Sequence, residues 1–282
     1  MLTKDRSRTA LIAVAVAAAA LVGCGDDDNG ATSTSTTGAS SPTTGAGPDL
    51  DGVVDIGGRG LYVRCSGSGS PTVFLEGGDE DTSASYAFAE ERLSETTRTC
   101  VYDRANLGRS DPDPGPRGLP DLVDDMEALL DAASIPGPYV LVGTSGGGYI
   151  PVGFAVAHPE DVAGMVFVEV PSPFLDPPPD ILEITAWDHP TNIEQRDYLQ
   201  IERDAWDART RIGDIPVTII SNDYGPEALA GERTNVEDQK GWLVLSPRAK
   251  QVVVTTGHAV EEEDPDLVID AILEVVEAAR QR

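Results

Sequence analysis

The stretch that most constrains this chain is Gly143-Thr144-Ser145-Gly146-Gly147, a serine hemmed in by small residues where two different kinds of segment meet. Upstream, Tyr139-Val140-Leu141-Val142 is an apolar run of strand type; downstream, the chain reads as helix through Ala157. A buried strand, a tight turn that needs small neighbours and then a helix is an arrangement that lifts one hydroxyl above the end of a sheet. Pro151 falls inside that helix and removes a backbone hydrogen bond, a feature whose consequence the sequence leaves open.

The segments around this turn alternate in type. Val53 to Ile56 and Leu61 to Ser66 are strand candidates separated by Gly57-Gly58-Arg59-Gly60, and Thr72-Val73-Phe74-Leu75 starts a third. Arg98 to Tyr102 is a fourth, followed by a loop from Asp103 to Pro120. Leu122, Met126, Leu129, Leu130 and Ala133 recur at helical spacing until Pro136-Gly137-Pro138 stops them. Ala163 to Val168, Val217 to Ile220 and Gln251 to Thr255 are further strands. A closing helix begins at Pro265, capped by Asp264, with Val268, Ile272, Val275 and Ala279 on one stripe. Strands alternating with helices predict a mostly parallel sheet covered on both faces, with an antiparallel front where the first strands follow one another with little helix. No core strand is expected between Pro171 and Pro216, so residues 172–215 are predicted to form an insertion over the sheet edge, a cap, with helix in Asn192 to Arg211.

The chain of 282 residues is long enough for one domain of this kind over residues 51–282, with appendages. Acidic residues number 48 against 20 basic ones, a net charge of -28, and no basic patch is visible. Nucleic acid is thereby excluded as a partner, since phosphate binding needs clustered Lys and Arg. At the N-terminus Lys4, Arg6 and Arg8 precede an apolar run from Ala10 to Val22, too short to span a bilayer and laid out like an export signal. Leu21-Val22-Gly23-Cys24 resembles a bacterial lipobox, which implies a signal peptide over 1–23, lipidation of Cys24 and attachment to the outer face of the cytoplasmic membrane through that lipid alone. Residues 24–50 have almost nothing large and apolar to bury and are expected to form a tether reaching about 28 Å.

The order of strands, the serine turn, the insertion and a late histidine together resemble an α/β-hydrolase-fold serine hydrolase, from about Asp49 to the end of the chain. Local phrases carry the likeness: Val101-Tyr102-Asp103-Arg104 with Gly108 and Ser110, the serine turn itself, Val162-Ala163-Gly164 leading into a strand, and Thr256-Gly257-His258. The resemblance implies an eight-stranded, mostly parallel sheet, a small acyl substrate and no cofactor. No metal site is suggested, because the histidines are scattered and no paired Cys or His spacing appears.

A serine hydroxyl needs a base within reach, and the chain has three histidines. His158 precedes Pro159 at a helix end, His189 lies in the insertion beside Trp187, and His258 follows the last strand, at the sheet edge where ligands gather. His258 is the expected base. Two carboxylates satisfy the chain order serine, acid, histidine: Glu169, ending the strand in Val168-Glu169-Val170-Pro171, and Asp223 in Ser221-Asn222-Asp223-Tyr224. The family most often uses the later loop, but its usual spacing from Pro216 falls on Gly225, so Glu169 is favoured narrowly. The oxyanion of an acyl-transfer intermediate needs two N–H donors. Gly146 follows the serine and supplies one. By likeness to similar proteins the second is assigned to the amide of Asp79, with Gly78 next in line and the Asp79 side chain turned away. Glu194, Asp197, Glu202 and Asp204 in the insertion would suit an aminopeptidase, or simply face solvent, and a non-catalytic surface lipoprotein retaining the fold is the rival from another class. In this fold the second and fourth strands are antiparallel neighbours, which implies a disulfide between Cys65 and Cys100.

Overall fold

The computed structural model describes residues 47, 49–173, 179–225 and 235–282. The expected signal segment, Cys24 and nearly all of the tether lie outside the described residues. Among the described residues no helix is long and apolar enough to cross a membrane.

Eight strands form one sheet: β1 (Leu50–Asp55), β2 (Gly60–Ser66), β3 (Thr72–Glu76), β4 (Thr99–Tyr102), β5 (Tyr139–Thr144), β6 (Val162–Val168), β7 (Val217–Asn222) and β8 (Ala249–Val254). Their spatial order is β1-β2-β4-β3-β5-β6-β7-β8. Pairs β1/β2 and β2/β4 are antiparallel, and every pair from β4/β3 to β7/β8 is parallel. The antiparallel front is therefore confined to β1 and β2. A helix not anticipated from the sequence, α1 (Ala87–Ser94), connects β3 to β4 and makes that pair parallel. Its buried side chains are only Ala89, Glu90 and Leu93, too few for a visible apolar stripe.

Successive residues of the central strands point to opposite faces, and each face has its own core. Phe74, Leu141, Phe167 and Ile219 pack under α2 (Leu119–Ala132) and α3 (Tyr149–Ala157), while Val73, Val140, Val166 and Ile220 pack under α1 and α8 (Pro265–Arg280). Helix α8 starts as its sequence predicts, with the Asp264 carboxylate accepting from the Leu267 amide at 3.2 Å. The register pairs Cys65 directly with Cys100, whose Cα atoms are 4.1 Å apart, and the two are disulfide-bonded. Closing a loop of this length stabilises the fold by about 3 to 4 kcal/mol in the chain-entropy account. The insertion between β6 and β7 contains α4 (Pro179–Ile184) and α5 (Tyr198–Ala208).

β4 lies on one side of β3 and β5 on the other, so strand order reverses there. The crevice beyond the carboxyl ends of β3 and β5 is where open α/β sheets bind ligands. Glu76, Gly77, Gly78 and Asp79 leave β3 into that crevice, and Ser145 follows β5 into it.

Candidate active site

Ser145 has a φ of +46°, a left-handed conformation that costs a residue with a Cβ on the order of 1 to 2 kcal/mol. The surroundings impose it. A Cβ on Gly143 would lie 2.5 Å from the Gly148 Cα, and one on Gly147 would lie 1.8 Å from the Gly77 carbonyl oxygen, so only glycines let the chain turn this tightly against the neighbouring loop. Residues 145–148 form a single 3-10 turn, and α3 begins at Tyr149. Pro151 therefore falls in the first turn of α3, where backbone N–H groups have no α-helical partner to lose.

His258 stands in the loop between β8 and α7 (Val260–Glu263), with Nε2 2.9 Å from Ser145 Oγ. Its Nδ1 is 3.5 Å from Glu169 Oε2 and 3.4 Å from the Tyr224 hydroxyl. These are long distances for hydrogen bonds, in a range that free sites tighten on binding. With a proton on Nδ1 facing Glu169, Nε2 is left as the acceptor for the serine hydroxyl. The bond to Glu169 is the main influence raising the pKa of His258, ahead of the opposing effect of burial.

Glu169 is 1 % exposed and, like Ser145, has positive φ, +52°. Burial pushes its carboxyl up, but bonds from His258, the Asn222 amide, Tyr224 and Asn235 outweigh that and hold it below the usual range. The Asn222 amide donates at 2.5 Å, the Tyr224 hydroxyl at 2.7 Å, Asn235 Nδ2 at 2.9 Å and Gln239 Nε2 at 3.2 Å. Asp223 is exposed, and its carboxylate accepts from the Gly225 amide at 2.9 Å, closing its own turn. Of the two candidate acids the structure brings Glu169 to His258. The other histidines are occupied elsewhere: His158 Nε2 lies 3.3 Å from Glu127, and His189 Nδ1 lies 2.8 Å from the Thr191 hydroxyl.

Opposite His258, the loop after β3 is gripped by Arg104. Its guanidinium donates to Glu76 Oε1 at 2.5 Å, to the Gly77 carbonyl at 2.8 Å and to the Gly78 carbonyl at 2.6 Å. In a trans peptide the carbonyl and the next N–H point opposite ways, so fixing the Gly78 carbonyl fixes the direction of the Asp79 amide. The Gly78 amide is itself engaged, donating to Asp81 Oδ2 at 2.9 Å. Arg104 also meets Glu194 of the insertion through Nε at 2.7 Å and Nη2 at 2.8 Å. Burial acts to raise Glu194, but Arg104 and Arg196 pull it down to about 2.

The Asp79 side chain does not turn away. A Cβ on Gly146 would lie 2.3 Å from both of its carboxylate oxygens, so the carboxylate rests against Gly146, and Arg196 donates to it at 3.0 Å. Water reaches this side chain, but it lies in a recess where the surrounding protein raises its carboxyl, ahead of the pull from Arg196. Arg104 was noted in the sequence only as part of a phrase, and Glu76, Arg196, Asn235 and Gln239 were missed. The signal available was the four-residue spacing of Asn235 and Gln239. Nothing local marks the charged residues as buried.

Residues 73–200 match the family model described as the alpha/beta hydrolase fold. An esterase from Thermogutta terrifontis superposes with a TM-score of 0.65 at 18% identity, covering 78% of this chain and 94% of that one. YqjL, a protein of Bacillus subtilis, is 24% identical over 77% of this chain and 87% of its own length. A protein of Hormonema carpetanum named "Probable transporter efuK" is 36% identical over 144 residues, 48% of this chain, but the match spans only 21% of that protein. The fold is the α/β-hydrolase fold, with its eight-stranded, mostly parallel sheet.

Proposed function

We propose that this chain is a serine hydrolase that cleaves a carboxylic ester or a related acyl bond through an acyl-enzyme. The observation that carries the reading is the 2.9 Å contact between Ser145 Oγ, on its strained turn, and His258 Nε2. Ser145 Oγ attacks the acyl carbon while His258 Nε2 takes its proton. The negative charge that develops on the acyl oxygen is met by the amides of Gly146 and Asp79, each such donor contributing about 10²- to 10³-fold in rate. Gly78 is the weaker candidate because its amide is engaged by Asp81. Collapse expels the alcohol, which takes the proton from Nε2. Water then attacks the acyl-enzyme with His258 again as base, and the acid and Ser145 are released. Glu169 holds the imidazole in orientation and stabilises its protonated form.

Three of the four acidic residues considered for an aminopeptidase are engaged within the protein. Glu194 is committed to two arginines, Asp197 caps α5 by accepting from the Gln200 amide at 3.2 Å, and Asp204 accepts from the Gln200 side chain at 2.7 Å. Export and lipid anchoring rest on the N-terminal sequence, with secretion without a lipid as the alternative, and the Cys65–Cys100 disulfide accords with export alone, being a bond that persists in oxidising compartments.

A fluorophosphonate probe tests the function without knowledge of the substrate. The purified protein is expected to be labelled and Ser145→Ala to be inert; an unlabelled protein, or equal labelling of the variant, overturns the reading.

A further inference from the structure

An aspartate carboxylate beside a developing oxyanion ought to oppose catalysis, and the structure shows how this chain lives with one. Asp79 packs its carboxylate against Gly146, whose amide and whose neighbour's hydroxyl are the reacting end of the site. Arg196, on the insertion, is 0% exposed and reaches both partners: Nη1 donates to Asp79 Oδ1 at 3.0 Å and Nη2 to the Gly146 carbonyl at 3.2 Å. Its own position is fixed from behind. The Arg196 amide donates to Asn192 Oδ1 at 3.2 Å, Asn192 Nδ2 donates back to the Arg196 carbonyl at 2.8 Å, and Glu194 Oε1 lies 3.4 Å from Nη1. The guanidinium carbon sits 5.1 Å from the centre of the Tyr198 ring.

We infer that Arg196 is a positioning residue of the oxyanion site, which joins the Asp79 loop to the serine turn and cancels the Asp79 charge that would otherwise oppose the oxyanion. The inference rests on the serine-hydrolase reading above. Its logic is electrostatic. Two anions a few ångströms apart repel even where water reaches one of them, and a fixed cation bonded to that one removes much of the repulsion before the reaction begins. Glu194 also faces Arg196, but it is shared with Arg104, and Arg196 still donates to Asp79 at the shorter distance of 3.0 Å. The guanidinium is suited to the task because one planar group can donate to a carboxylate and a carbonyl at once. The insertion thus does more than cover the sheet edge: it supplies the cation that makes the loop after β3 usable as an oxyanion donor. Without Arg196, Asp79 would lose its bonded cation and be left with only the more distant pull of Arg104.

The test compares Arg196→Met, Arg196→Lys and the double variant Arg196→Met/Asp79→Asn in the full chain. Two readouts are used: the rate constant of fluorophosphonate labelling at Ser145, which also builds charge on an oxygen in the oxyanion site, and kcat and KM with p-nitrophenyl acetate. Arg196→Met is expected to slow labelling and kcat about 100-fold while KM moves less than about threefold, the magnitude of losing one oxyanion donor. Asn at 79 in that background is expected to recover at least about tenfold, because it removes the uncancelled charge while retaining the backbone amide. Arg196→Lys, which keeps the charge and the fold's packing best, should lose no more than about tenfold. The inference is overturned if Arg196→Met labels within about threefold of the natural chain, if Asn at 79 restores nothing, or if Lys is as poor as Met; the last two would mark Arg196 as a purely structural tie. Should Arg196→Met not fold, Arg196→Gln with and without Asn at 79 gives the same contrast. Failure of the natural chain itself to be labelled would instead overturn the serine-hydrolase reading.

Discussion

Buried carboxylates lie on both sides of Ser145, and the protein treats the two sides in opposite ways. On the side of the loop after β3, Glu76 and Glu194 are bonded to Arg104 and Glu194 also faces Arg196, so that their charges are offset by cations. On the histidine side, Glu169 is held by an amide N–H, a phenol and two side-chain amides, all neutral. Neutral donors make a buried carboxylate tolerable without spending its charge, which stays available to the imidazole. An acid that must stabilise a protonated histidine should keep its charge unopposed; an acid that only braces a loop is safer with its charge cancelled.

The sharpest way to break this comparison is to remove the charge of Glu169. Glu169→Gln is expected to lower kcat by about 10³- to 10⁴-fold, whereas Asp223→Asn should stay within about twofold of the natural chain, both read by steady-state hydrolysis of p-nitrophenyl acetate. Equal losses would mean that Glu169 is a structural group like Glu76.

On the other side, loss of the cation should cost stability more directly than chemistry. Arg104→Met leaves buried Glu76 without its bonded cation and Glu194 with Arg196 alone, and should destabilise the fold by about 3 to 5 kcal/mol in denaturant unfolding. A loss below about 1 kcal/mol would show that Glu76 and Glu194 simply take up protons or reach water.

The smallest effect expected is a shift in pH dependence. The base must be neutral to accept the serine proton, so kcat/KM should rise with pH through the His258 pKa, which the Glu169 bond places above the ordinary histidine value of 6.5. Replacing Glu169 by Gln removes the main cause of that elevation, and the midpoint of whatever activity remains should move to lower pH. A midpoint that stays put would mean that Glu169 does not act through its charge.

Much of this architecture is legible in the sequence. The strands appear within a few residues of their observed limits because β3, β5, β6 and β7 are buried on both faces and so read as apolar runs. Helices α2 and α8 show their apolar stripes, and the serine turn shows its glycines. Helix α1 was invisible because it buries so little, and the place of Pro151 in the first turn of α3 was not legible because that helix starts later than the turn suggests. The Asp79 side chain was expected to turn away, since a free carboxylate has no business beside an oxyanion. It stays because an arginine more than a hundred residues later in the chain arrives to meet it.

The sequence by itself determined the sheet, the turn that carries Ser145 and the histidine able to serve it, because each of these is written in a local pattern or in the scarcity of one residue type. Only the tertiary structure brought Glu169 rather than Asp223 to His258 and joined Arg104 and Arg196 to the loop after β3. The physical reason is that periodicity reports which face of an element is buried, whereas a charge pair depends on which loop ends meet across the sheet, and those meetings are set by the packing of segments far apart in the chain.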